Sequence, residues 1–134
     1  MLSRFPLNPV LPAEDGDRAR AFYRDVLGLT LVSGPHDDPM MFTAAEGTRV
    51  LVTEIPDRTP SDHAVVAFLV HGLDEIVEEL LRRGVSFRDP GAERGSFAGQ
   101  AGRAEGVITD YGPVRSTWFH DSEGNVLALN EIVG

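Results

Sequence analysis

Residues 17–29, Asp17-Arg18-Ala19-Arg20-Ala21-Phe22-Tyr23-Arg24-Asp25-Val26-Leu27-Gly28-Leu29, carry the pattern from which the fold is read. Ala19, Phe22, Tyr23, Val26 and Leu27 fall at i, i+3, i+4, i+7 and i+8, the spacing that lines apolar side chains along one face of an α-helix. Asp15 or Asp17 can accept the open N–H groups of the first turn, and Gly28 suits the left-handed residue that ends a helix. An amphipathic helix is predicted from Asp15 to Gly28.

Working outward, the plan recurs. Leu73, Ile76, Val77, Leu80 and Leu81 have the same spacing, Asp74 lies near the start and Gly84 follows the last turn. The two helix-ending glycines are about 56 residues apart, and each leads into a short β-rich run, Leu29 to Val32 and Val85 to Phe87. Before the helices lie Leu7 to Leu11, interrupted by Pro9, and Val65 to Val70. After them the first half offers Met40 to Ala44 and Arg49 to Glu54 around the turn Ala45-Glu46-Gly47-Thr48. The second offers Val107 to Thr109, Arg115 to His120 and Val126 to Glu131, the last two joined by the turn-rich Asp121 to Asn125. Strand, helix and three strands, performed twice, make an α+β fold of two βαβββ modules. Their half-sheets are expected to form a curved mixed sheet around a small-molecule cavity.

Both ends of the chain then resemble one family. Asp17 to Leu29 is similar to the first helix of the vicinal oxygen chelate superfamily, and Phe119-His120-Asp121-Ser122-Glu123-Gly124-Asn125-Val126-Leu127-Ala128-Leu129 looks like its final hairpin. The resemblance implies one domain over residues 1–134, with module 1 at about 5–60 and module 2 at about 61–134. The superfamily includes glyoxalases, extradiol dioxygenases, epimerases and metal-free bleomycin-binding proteins, so the fold alone does not select a function.

Members that do chemistry hold a divalent ion with His and Glu side chains from four strands. By the resemblance, the first ligand position falls on Asn8, whose amide binds transition metals far less well than imidazole. The second falls on Glu54, or on Thr53 in the other register. The third falls on Val65, with His63 two residues earlier as a displaced candidate, and the fourth on Ala128. With at most Glu54 and His63 retained, no metal and no other cofactor is expected. His36 in its loop and His71 beside Gly72 read as solvated, and His120 precedes the hairpin turn, where a polar residue is expected.

The faces once used for metal would line a pocket: Asn8, Val10, Val65, Ala67, Val126, Ala128 and Asn130, and Glu54 is a further ligand-binding candidate. Asn130 shares strand parity with Ala128 and is expected to be a pocket amide that meets backbone, water or ligand. Trp118 offers a stacking face together with Tyr111, or else a core or dimer-interface aromatic. Asp89 to Ala104, with four glycines around Phe97, reads either as a lid with Phe97 at its tip or as disorder.

Composition bounds the rest. An apolar fraction of 42% and a charged fraction of 25% over 134 residues describe one ordered globular chain. A net charge of −9, twelve Arg and no Lys against twenty-one acids, opposes binding to nucleic acid. The all-Arg usage reads as coding bias. Without Cys, disulfides and thiolate chemistry are excluded. No apolar leader or bilayer-length segment is visible, so a cytoplasmic protein with no membrane partner is expected. Metal-independent binding or sequestration of a small organic molecule by a homodimer is the leading expectation, with cationic ligands favoured by the acidic charge. The alternatives are a metal-dependent lyase or dioxygenase, which leaves open whether the chain is an enzyme, and a ligand-free dimeric interaction module.

Overall fold

A computed structural model describes residues 1–90 and 102–133 of the chain. Two compact units are present, Met1–Arg58 and Thr59–Gly134.

In the first unit, β1 (Val10–Ala13), α1 (Gly16–Ala21), β2 (Thr30–Leu31), β3 (Met40–Thr43) and β4 (Arg49–Glu54) follow in order. The sheet order is β1-β4-β3-β2, with β1 parallel to β4 and the remaining pairs antiparallel. Asp15 caps α1, its Oδ1 accepting the Arg18 N–H at 3.1 Å, and Gly28 closes the helical run at φ 76°. Between them the structure departs from the expected uniform helix. Phe22–Val26 is a π-turn, in which the Leu27 N–H reaches the Phe22 carbonyl at 3.0 Å, five residues back. Tyr23 is thereby buried against Phe42, ring centroids 5.7 Å apart.

In the second unit, β5 (Ala64–Leu69) and α2 (Leu73–Arg82) precede β6 (Ser86–Phe87), β7 (Arg103–Glu105), β8 (Ile108–Asp110), β9 (Val114–His120) and β10 (Val126–Ile132). The sheet order is β5-β10-β9-β8-β7, and β6 also pairs with β9. Again one pair, β5 with β10, is parallel and the others are antiparallel. Both units are thus mixed sheets with a helix between their first two strands, which makes the chain α+β. The segment expected as a loop to Ala104 ends earlier, because Arg103 and Ala104 belong to β7. That strand is exposed along its length and has no apolar alternation to announce it; it is held by its ladder with β8 across Gly106, at φ 64°, and Glu105 lies 4.0 Å from Arg115 on β9.

Helix α2 starts at Gly72, in the left-handed region at φ 71° and with no side chain to cap the first turn. Glu131 on β10 supplies the missing acceptor, its Oε2 taking the Leu73 N–H at 3.0 Å. Arg115 on β9 donates to Glu131 Oε1 at 3.0 Å and to both oxygens of Asp74 at 2.9 and 3.1 Å. The Leu73 N–H first, and then Arg115, holds the Glu131 carboxyl below its ordinary range; Arg115 does the same to Asp74.

Since both folded pKa values are lowered, the stabilisation is complete above the unfolded carboxyl value of about 4 and is lost as pH falls through the folded values. Glu131→Gln is expected to cost about 1 kcal/mol at pH 7 and to make the acid loss of stability shallower. Urea denaturation at pH 7 and pH 3 checks this. Identical pH slopes in the two proteins would show that the cap does not titrate as described.

Candidate functional site

The pairing of β5, β10 and β9 decides what shares a face. Trp118 lies opposite Ala128, which lies opposite Ala67; one row along, Ser116 lies opposite Asn130. These residues face one way, and between β5 and Trp118 the sheet leaves an open hollow of about 200 Å³. Among the described residues its lining is Ala64, Val65, Val66, Ala67, Trp118, Ala128 and Asn130, none of them charged. The floor is firm, because Trp118 and Ala128 are 2% and 4% exposed and pack with Val126, Ala64 and Tyr111.

Strict alternation along β5 would bring Val65 and Ala67 to one face and turn Ala64 and Val66 to the other. All four reach the hollow because β5 bulges there, Val65 being left over between the pairs Ala64–Val126 and Val66–Leu127. Val126 itself is buried in the core beneath rather than lining the hollow.

Asn130 has the protein partner that a pocket amide needs. The Ser116 hydroxyl, fully buried, donates to Asn130 Oδ1 at 2.7 Å. Sequence reasoning passed over Ser116. The signal was present, since a hairpin centred on Glu123 pairs residues equidistant from it, and Ser116 and Asn130 are such a pair.

The first unit holds a smaller recess of about 160 Å³. Gly16, Arg20, His36, Asp38 and Glu54 are among its lining, and its polar groups are largely engaged with one another. Glu54 Oε1 accepts the Gly16 N–H at 2.8 Å, so this carboxylate caps the first turn of α1. Asp38 Oδ1 accepts from Thr53 Oγ1 at 2.8 Å and from the Glu54 N–H at 3.1 Å. Arg20 donates to Asp17 at 2.8 Å and to the Pro35 carbonyl at 2.7 Å.

Of the residues singled out from the sequence, Val65, Trp118, Ala128 and Asn130 come together in the hollow. Asn8 and Val10 lie in the first unit, exposed at the start of β1, with Val10 56% exposed. Glu54 lies in the acidic recess. His63 is exposed just before β5, its Nδ1 2.7 Å from Ser61 Oγ. Phe97 lies outside the described residues, as does most of the segment expected to act as a lid. Among the described residues no group of three or more His, Asp or Glu is placed to hold a metal ion, and no helix is long and apolar enough to cross a membrane.

The fold is shared with known structures. A glyoxalase family protein from Bacillus anthracis superposes with a TM-score of 0.67 at 20% identity, covering 94% of this chain and 93% of that one. The glyoxalase / bleomycin resistance protein of Catenulispora acidiphila matches with a TM-score of 0.62 at 22% identity, covering 96% and 99%. TnmS3, an antibiotic binding protein from Streptomyces sp. CB03234, matches with a TM-score of 0.63 at 18% identity, covering 94% and 93%. Residues 6–43 match a family model described as bleomycin resistance protein-like N-terminal. Among curated proteins, none matches this sequence.

Proposed function

We propose that this chain is a member of the vicinal oxygen chelate superfamily, residues 1–134 forming one domain of two modules, and that it binds a small organic molecule without a metal. The observation that carries this reading is the hollow on the second unit, lined among the described residues by mostly apolar side chains, none charged, with one amide. Concave apolar surfaces with a few directed polar groups are the usual form of a small-molecule site. Ala128, where the resemblance places the last metal ligand, has a side chain that cannot coordinate, and it forms part of the floor. The likeness of the fold to glyoxalase / bleomycin resistance and antibiotic binding proteins supports the same reading. We further propose that the chain works in the cytoplasm as a homodimer.

Ala128→Trp tests the site, because an indole at that position fills the hollow. A bound aromatic ligand at a hundred times its Kd stabilises a protein by about 2.7 kcal/mol. Thermal-shift screening against a broad panel of aromatic antibiotics and smaller aromatics is expected to find such stabilisation in the wild type. In Ala128→Trp affinity is expected to fall by about 10-fold or more. No stabilisation across the panel, or stabilisation indifferent to Ala128→Trp, would sink the reading. Stoichiometric Zn, Ni, Mn or Fe in protein purified without chelator, lost together with activity in Glu54→Ala, would replace it with a metal-dependent lyase or dioxygenase.

A further inference from the structure

We infer that the hollow selects an uncharged, flat aromatic ligand bearing a carbonyl or ether oxygen at its edge, which accepts a hydrogen bond from the side-chain amide N–H of Asn130. This rests on the reading of the hollow as the ligand site. The sheet presents two adjacent rows there. One is apolar, Trp118 beside Ala128 beside Ala67, with the first two almost wholly buried; the other is polar, Thr109 beside Ser116 beside Asn130, of which only Asn130 lines the hollow.

The polar row has more hydrogen-bonding capacity than the fold consumes. Ser116 gives its proton to Asn130 Oδ1 at 2.7 Å, which fixes the amide plane and occupies its acceptor. Asn130 Nδ2, with two N–H groups, donates to no atom among the described residues, while Asn130 itself lines the hollow. A ligand that covers Asn130 must replace the water on those N–H groups with an acceptor or leave them unpaired. A cationic group in the same place would set donor against donor. Among the described lining residues no carboxylate offsets this, and the net charge of −9 is screened by solvent. A volume of about 200 Å³ suits a bicyclic ring system.

Isothermal titration calorimetry with 2-acetylnaphthalene, 2-ethylnaphthalene and 2-naphthylmethylammonium tests the assignment. The three probes share a ring system and differ in what they offer Asn130. In the wild type the ketone is expected to bind tightest and the ammonium weakest. Asn130→Asp keeps an acceptor for Ser116 and removes the donors, so the ketone should lose about 3- to 10-fold relative to the hydrocarbon and the ammonium should gain. Asn130→Ala should lower the ketone-to-hydrocarbon ratio by the same factor, and it serves if Asn130→Asp fails to fold. Hydrocarbon binding abolished by Ala128→Trp, with a ketone-to-hydrocarbon ratio unmoved by either Asn130 variant, overturns this inference and leaves the site standing. Failure of all three probes to bind the wild type overturns the site and the inference together.

Discussion

Trp118→Ala is expected to lower the unfolding free energy by about 3 to 5 kcal/mol, the range measured when a fully packed large aromatic is truncated. The indole is 2% exposed and closes against Val126, Ala128, Ala64 and Tyr111. Two costs add: the apolar surface no longer withdrawn from water, and the void that a sheet bonded on both edges of β9 cannot collapse to fill. Trp118→Phe keeps a ring in the same place and should cost about half as much. Urea denaturation followed by far-UV circular dichroism reads both. A loss below about 1 kcal/mol for the alanine variant would mean that the ring is not a packed floor, and the hollow above it would lose its definition as well.

Asp121→Ala is expected to cost about 3 kcal/mol, for a different reason. The turn between β9 and β10 is organised by one carboxylate. Asp121 Oδ1 accepts the N–H groups of Glu123 and Asn125, both at 2.8 Å, and Oδ2 accepts Asn125 Nδ2 at 2.7 Å. All three residues are buried, so the truncation strands donors that water reaches poorly, each worth about 1 kcal/mol or more. Asp121→Asn keeps an acceptor for the two backbone N–H groups and should fall between the wild type and the alanine variant. Amide hydrogen exchange across Val114–His120 and Val126–Ile132 gives the second readout, since these strands should open together. Exchange unchanged in Asp121→Ala would show that the strands hold without the turn.

Much of this was legible in the chain itself. Gly28 and Gly84, both at positive φ, end helices where the 3.6-residue spacing stops, and the repeat between them matches two units that each set a helix between the first strands of a mixed sheet. Asn130 facing the same side as Ala128 followed from alternation, and Ser116 supplies its partner. What stayed hidden has physical causes. Over the five residues Phe22–Val26, apolar spacing cannot separate a π-turn from an α-turn, because Tyr23 and Val26 face inwards in either. The bulge at Val65 in β5 depends on the pairing with β10 and leaves no mark on either sequence. Glu54 looks the same in sequence whether it waits for a metal or, as here, caps the turn that begins at Gly16.

Neighbouring positions near the end of β10 do opposite jobs. Asn130 faces Ser116 and the hollow, whereas Glu131 faces Arg115 and holds the first turn of α2. If β10 slid by one residue against β9, a carboxylate would enter an apolar pocket and an amide would meet a guanidinium that already has Asp74 to satisfy. The mispaired hairpin would therefore be penalised on both of its surfaces at once. Two adjacent side chains act as a proofreading pair for strand alignment, so the geometry that aims the amide and the geometry that anchors the helix stand or fall together.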